Sequence, residues 1–275
     1  MQQKKSNYNM IIRANCKVNI GLHITGKRDD GYHTLETLFY PIYGLYDVID
    51  INHSDAFQFE CNGIDIQCEQ QDNLVIKCYN TFRAHFPQIG PIKIRLTKNI
   101  PSGAGLGGGS SDAAHTAIAL NELFHLSLSK EQLADMVASL GADCPFFIYN
   151  VPCLAKGIGE ILTPTIDEYD GRYIVLVKPD IAISTREAYN GIDQLGELPF
   201  KEKFNDFELS VFPNHPILKE IKQQLLNHGA HYASLSGTGA TVFGIFDKKV
   251  IDPNSIFPNC FVYQTELKTR SNDAV

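Results

Sequence analysis

Pro101-Ser-Gly-Ala-Gly-Leu-Gly-Gly-Gly-Ser-Ser-Asp112 is the stretch on which the reading of this chain turns. Five glycines crowd into it. Backbone without Cβ atoms can take left-handed angles and bring its N–H groups against a ligand. On one side lies a strand-like run, Ile92-Lys-Ile-Arg-Leu96, and on the other a helix-like run rich in alanine, Ala113 to Phe124. A glycine loop that feeds a helix N-terminus forms a pocket for an anion, because unpaired N–H groups and the helix dipole point the same way. A bound phosphate is therefore expected. A flexible linker fits poorly, since solvated linkers do not usually end directly in an apolar-periodic helix.

The 275 residues allow one large domain or two medium ones, and an apolar fraction of 44% supports an ordinary buried core. A formal charge of −7 argues against general affinity for nucleic acid or an anionic membrane. An acidic protein that binds an anionic substrate must do so with local donors. The cysteines are odd in number, seven, and no pair has C-x-x-C spacing, so neither a disulfide framework nor a zinc site is indicated. A reducing compartment follows. The N-terminal residues have no apolar core of a secretory signal, and no run approaches the roughly 20 apolar residues of a membrane span. The expectation is a soluble, cytoplasmic protein acting on small molecules as a monomer or homodimer.

Elsewhere, Phe57-Gln-Phe-Glu-Cys61 alternates apolar and polar as a half-buried strand does. Asp72 is expected to cap a helix with Val75, Tyr79, Phe82 and Phe86 on one face. Ser129-Lys-Glu-Gln132 has the form of a capping box, with Leu133, Met136, Val137 and Leu140 following at helical spacing. Tyr173 to Val177 reads as a buried strand, 190–199 as a loop, and Pro216 as the start of a helix burying Ile217, Ile221 and Leu225. Thr241 to Phe246 and Phe261 to Tyr263 read as strands. Strands and helices mix without strict βαβ alternation, which favours α+β over a doubly wound sheet. The expected domains are 1–160 and 161–275.

Gly103-Ala-Gly105-Leu-Gly-Gly108 formally matches the dinucleotide fingerprint, but the nearest acidic candidate, Glu122, falls inside the expected helix. No Gly-Lys-Ser/Thr follows, so the loop is not a Walker A motif either. It resembles instead the P-x-x-x-G-L-G-(G)-S-S loop of the GHMP kinases, the superfamily of galactokinase, homoserine, mevalonate and phosphomevalonate kinases. Three further segments fit that resemblance, in the right order. Ala14 to Thr37 contains Lys17-Val-Asn19 and then Ile24-Thr-Gly-Lys-Arg-Asp-Asp-Gly-Tyr-His-Thr-Leu-Glu-Thr37, similar to the branch of the superfamily whose acceptor carries a cytidine diphosphate. Cys16 stands where that branch usually has alanine before the lysine. Gly141-Ala-Asp-Cys-Pro145 and Ser234-Leu-Ser-Gly-Thr-Gly-Ala-Thr-Val-Phe243 match the remaining motifs.

The resemblance runs from about residue 12 to 246 and implies an α+β fold of two domains, an N-terminal one like ribosomal protein S5 domain 2 and a C-terminal ferredoxin-like one. It implies phosphoryl transfer from ATP, with Mg²⁺, to an alcohol. Asp143 would be the general base, with Lys17 in reach of it and of the acceptor oxygen. Pro101, Gly103, Gly105, Leu106, Gly107, Gly108, Gly109, Ser110 and Ser111 would form the phosphate loop, one of the two serines meeting phosphate or Mg²⁺. Asn73 and Lys98 match positions near adenine. Tyr32, His33 and Tyr189 would hold the cytosine, His33 at the base edge and Tyr189 stacking, while Asn19 positions the acceptor chain and Gly237, Thr238 and Gly239 form the late turn. No dedicated protein metal site is implied, and His228-x-x-His231 lacks a third ligand. The alternatives are another GHMP kinase, such as a homoserine or mevalonate kinase, a catalytically silent nucleotide-binding protein on the same fold, and a dinucleotide-dependent oxidoreductase.

Overall fold

Two long strands open the chain, β1 (Asn9–Lys27) and β2 (His33–His53), in a computed structural model that describes residues 9–64, 70–196, 198 and 203–268. The sequence patterns assign no element there. The two strands pair, and the Asp-Gly-Tyr-His motif is their connection. The Arg28 N–H donates to the Tyr32 carbonyl at 2.7 Å, and Gly31, at φ +87°, supplies the left-handed step the turn needs.

The order then continues with β3 (Gln58–Gly63), a 3₁₀ turn at Gln70–Asp72, α1 (Leu74–His85), β4 (Ile92–Lys98), α2 (Gly108–Leu123), α3 (Lys130–Ala138) and α4 (Cys144–Tyr149). The later half contains β5 (Cys153–Lys156), β6 (Ile161–Pro164), β7 (Tyr173–Pro179), α5 (Thr185–Leu195), α6 (Phe207–Val211), α7 (Pro216–Asn227), β8 (Tyr232–Leu235), β9 (Val242–Phe246), α8 (Pro253–Ile256) and β10 (Cys260–Glu266). This is the α+β mixture the sequence implies. Two compact units emerge, and neither is a single stretch of chain. Of the described residues, the first takes those up to Cys16, Tyr46–Ser102 and Gly108–Asn150; the second takes Lys17–Leu45, Gly103–Gly107 and those from Val151 on.

In the first unit the C-terminal part of β2 pairs antiparallel with β4, and β3 pairs with β4 in parallel. Alternation buries Ile92, Ile94 and Leu96 on one face of β4 and Ile49 and Ile51 on one face of β2. Helices α1, α2, α3 and α4 pack together. Helix α2 is buried almost all round, and its Ala113, Ala114, Ala117 and Ala119 let neighbouring helices approach closely.

In the second unit an antiparallel sheet runs in the order β10-β7-β9-β8, with Val175 and Val177 of β7 in its core. Helix α7 covers it through Leu218, Ile221 and Leu225. The first part of β2 pairs with β5, and β5 forms a hairpin with β6.

Several local expectations shift. Asn73 rather than Asp72 caps α1: its Oδ1 accepts from the Val75 N–H at 2.9 Å, while Asp72 closes the 3₁₀ turn. Ile217 is exposed and Leu218 takes its place on α7, because residues seven apart return to within about 20° on a helix and residues eight apart do not. Helix α2 begins at Gly108, inside the glycine run rather than after it. Residues 190–195 are helical, not loop; residues 197 and 199 of that expected loop lie outside the described residues. Gly191 permits the close packing of α5 on α6, since a Cβ there would fall 2.7 Å from Ser210 Cβ on α6. The capping box at Ser129 and Gln132 forms as expected. Of the seven cysteines, Cys68 lies outside the described residues. No helix among the described residues is long and apolar enough to cross a membrane.

Candidate active site

The glycine loop crosses from the second unit into the first between Gly107 and Gly108. In the first unit, α2 starts with two glycines, so the first-turn N–H groups of a 16-residue helix are presented with no side chain in front of two of them. Ser110 and Ser111 follow, and their environments differ. Ser111 is fully buried and its hydroxyl donates to the Asn15 carbonyl at 2.6 Å. Ser110 is half-buried and bonds the Cys144 thiol, whose pKa burial pushes up to about 12 against that bond. Pro101 is buried at the end of the connection from β4.

Asp143 holds the N-cap position of α4, ahead of Pro145, and is half-buried. Its carboxylate makes no capping hydrogen bond to that helix.

Beneath the start of α2 lies a charged cluster that sequence reasoning misses. Lys98 continues the inward row of Ile92, Ile94 and Leu96, and Asp47 continues that of Ile49 and Ile51. In the register that sets Val48 opposite Thr97, the next pair is Asp47 and Lys98. Two polar groups at core positions must satisfy each other. Lys98 Nζ donates to Asp47, and at 2.7 Å to Asp112 in the first turns of α2. Asp47 Oδ1 also accepts from the Asn99 and Ile100 N–H groups at 2.6 and 2.9 Å. Burial alone would lower the Lys98 pKa, but Asp112 and Asp47 hold it above the ordinary lysine value. Burial drives the Asp112 carboxyl well above the usual range, although Lys98 pulls the other way. One lysine faces two buried carboxyls, and Asp112 Oδ1 has no partner, so Asp112 is the one that resists ionisation. A Cβ on Gly108 would stand 3.5 Å from Lys98 Nζ. Lys98 thus lies beside the first residue of α2. Asn73, the other residue expected near adenine, is buried as the cap of α1.

In the second unit the first half of the loop is laced to the late turn. Ser236 Oγ donates to the Gly105 carbonyl at 2.8 Å, and the Thr241 N–H donates to the Ala104 carbonyl at 3.2 Å. Gly105 lies so close that a Cβ would fall 2.0 Å from the Ser236 carbonyl oxygen. Gly237 and Gly239 take φ +55° and +92° around Thr238. Two residues that no motif flags hold this turn. Asn205 Nδ2 donates to the carbonyls of Leu235 and Gly237 at 2.8 and 2.9 Å, and buried Glu208 accepts from Ser234 Oγ and the Leu235 N–H, both at 3.0 Å.

Lys17 belongs to the same unit. It is 3% exposed and so is no surface charge. Its N–H donates to the Leu106 carbonyl at 3.0 Å, its Nζ donates to Asn19 Oδ1 at 2.6 Å, and the ammonium lies over the Phe39 ring at 4.8 Å. Asn19 Nδ2 in turn donates to Thr37 Oγ1 at 3.2 Å. The structure assigns Lys17 and Asp143 to different units.

Tyr32 ends the turn before β2, and His33 is the first residue of β2. Tyr32 is 62% exposed and so is no core tyrosine, whereas His33 is buried. The His33 and Tyr189 rings stack with centroids 4.8 Å apart, and Phe207 meets Tyr189 edge-on. His33 Nε2 bonds Asp193 Oδ1 at 2.7 Å, and Lys27 Nζ donates to Asp193 Oδ2 at 2.6 Å.

Residues 73–150 match the family model "GHMP kinases N terminal domain" and residues 185–252 match "GHMP kinases C terminal". Both halves of a GHMP kinase are present. A 4-diphosphocytidyl-2-C-methyl-D-erythritol kinase of Bacteroides fragilis is 46% identical, over 94% of this chain and 100% of the relative, and one of Parabacteroides distasonis is 42% identical with the same coverage. A crystal structure of 4-(cytidine 5'-diphospho)-2C-methyl-D-erythritol kinase superposes with a TM-score of 0.76 at 28% identity, over 93% of this chain and 98% of that one. A homoserine kinase of Cytophaga hutchinsonii, at 14% identity and a TM-score of 0.66, shares the fold. The chain belongs to the GHMP kinases and, within them, to the family of the 4-diphosphocytidyl-2-C-methyl-D-erythritol kinases.

Proposed function

We propose that the chain transfers the γ-phosphoryl group of ATP to the 2-hydroxyl of 4-diphosphocytidyl-2-C-methyl-D-erythritol, giving the 2-phosphate and ADP in the non-mevalonate route to isoprenoid precursors. Asp143 accepts the hydroxyl proton, the oxygen bonds to the γ-phosphorus, and the bond from that phosphorus to the ADP oxygen breaks. Lys17 supplies positive charge to the developing alkoxide and the transferring group. Asn19, which fixes the Lys17 ammonium, also orients the acceptor chain. The N–H groups of the loop from Gly103 to Ser111, set by Pro101 and Leu106, receive the phosphates. Ser110 is the serine that serves them, because the Ser111 hydroxyl is held by the Asn15 carbonyl. Asn73 and Lys98 shape the adenine side, and Gly237, Thr238 and Gly239 line the acceptor side.

Oxygen donors such as the Ser110 hydroxyl suit a hard cation, and no cluster of three metal-ligating side chains occurs among the described residues. Mg²⁺ therefore fits as an ion carried chiefly by the ATP phosphates, where it would neutralise charge on the γ-phosphoryl group. Tyr32, His33 and Tyr189 receive the cytosine. The enzyme works in the cytoplasm as a monomer or homodimer, and its functional halves are residues 1–160 and 161–275, a division supported by separate family matches at 73–150 and 185–252.

The observation that carries the reading is the burial of Lys17 against the glycine loop, in the unit that also holds the His33–Tyr189 stack. The test is ATP turnover against the cytidyl substrate, mevalonate and homoserine in parallel. Turnover confined to the first is expected. Equal turnover on all three, or none on the first, overturns the reading.

A further inference from the structure

Tyr189 and Asp193 are four residues apart on α5 and so share a face, one turn apart. Both reach His33. Tyr189 covers the flat of the imidazole, and Asp193 grips its edge through Nε2 at 2.7 Å. No motif points to Asp193. Its second oxygen is held by Lys27, the last residue of β1, at 2.6 Å. Hydrogen bonds from Lys27 and then from His33 hold the carboxyl below the usual range, so it is ionised near neutral pH.

An ionised carboxylate can only accept hydrogen bonds. His33 Nε2 must therefore carry the proton, and in the neutral ring Nδ1 is then left as an acceptor. Nδ1 makes no hydrogen bond to any described residue. Cytosine presents an amino donor at the position where uracil presents a carbonyl acceptor. An acceptor facing that position pairs with the first and leaves two lone pairs opposed with the second.

We propose that Asp193 is a specificity-determining residue, which fixes His33 in the tautomer whose Nδ1 accepts from the cytosine amino group and so excludes uracil. This rests on the reading that His33 meets the base. The Lys27 contact makes the proposal sharp. In Asp193→Asn, Lys27 can donate only to the amide oxygen, which turns the amide NH₂ toward His33 Nε2. Nε2 must then accept, the proton moves to Nδ1, and the polarity offered to the base inverts.

Two measurements on the full-length protein test this. Nitrogen NMR of the neutral histidine side chains should find His33 protonated at Nε2 in the wild type and at Nδ1 in Asp193→Asn. Kinetics should find the kcat/KM ratio of the cytidyl substrate over its uridyl analogue reduced at least about tenfold in Asp193→Asn, with KM for ATP unchanged. Equal losses on both substrates, as a purely structural role would give, overturn the proposal, and so does a wild-type His33 protonated at Nδ1. A wild type that turns over neither substrate defeats the function reading instead, and the NMR result then decides the tautomer by itself.

Discussion

Substituting alanine for Gly105 and, separately, for Gly103 separates two demands that the Gly103–Gly109 loop places on glycine. Both residues have left-handed angles, φ +71° and +58°. Placing alanine there costs about 1–2 kcal/mol in either case. The surroundings differ. A Cβ on Gly103 meets nothing within 4 Å, whereas one on Gly105 falls 2.0 Å from the Ser236 carbonyl oxygen and 3.1 Å from that of Gly239. The backbone at Gly105 must retreat, and the retreat strains the Ser236 Oγ bond to its carbonyl, at 2.8 Å, and the Lys17 N–H bond to Leu106 one residue on, at 3.0 Å. Each such bond contributes about 1 kcal/mol net. Gly105→Ala should therefore destabilise by about 3–4 kcal/mol and Gly103→Ala by about 1–2 kcal/mol. Urea unfolding of both variants measures the difference, and KM for ATP should rise more for Gly105→Ala. Equal destabilisation of the two would refute the claim that the loop is locked onto the late turn.

Asp143→Asn should abolish turnover while nucleotide binding by calorimetry stays intact; near-normal turnover would remove Asp143 from the base role. Tyr189→Ala should raise KM for the cytidyl substrate with little change for ATP, and an unchanged KM for the former would sink the stacking assignment. Asp112→Asn should alter the pH dependence of stability. Because the folded-state pKa of Asp112 is raised, its contribution is fully present below the unfolded value near 4 and is lost as pH rises toward the folded value, by up to about 1.4 kcal/mol per pH unit. Wild-type stability minus that of the variant should thus fall as pH rises from about 4. Parallel urea-derived profiles for the two proteins would contradict the raised pKa.

The glycine loop, the Ser129–Gln132 capping box and the alternating strand Ile92–Leu96 were legible because each is a local pattern with a local cause. Long strands β1 and β2 were not, since their burial changes along their length and no single period runs through them. Lys98 and Asp47 each look like a strand's polar end, and only the register of β2 against β4 shows that they occupy core positions facing each other. His33 and Asp193 are 160 residues apart, and nothing local marks either as the other's partner. The motif segments named the residues of the candidate site. What fixes those residues, Asn205 and Glu208 behind the late turn and Asp193 behind His33, came from tertiary contacts alone.

The central claim concerns which oxygen receives the phosphate. Incubating the enzyme with ATP and the cytidyl substrate, and reading carbon–phosphorus coupling in the isolated product, tests it directly. New coupling centred on carbon 2 of the methylerythritol, with ADP formed in equal amount, is the expected result. Phosphate on any other hydroxyl, or ADP formed without a phosphorylated product, would contradict it.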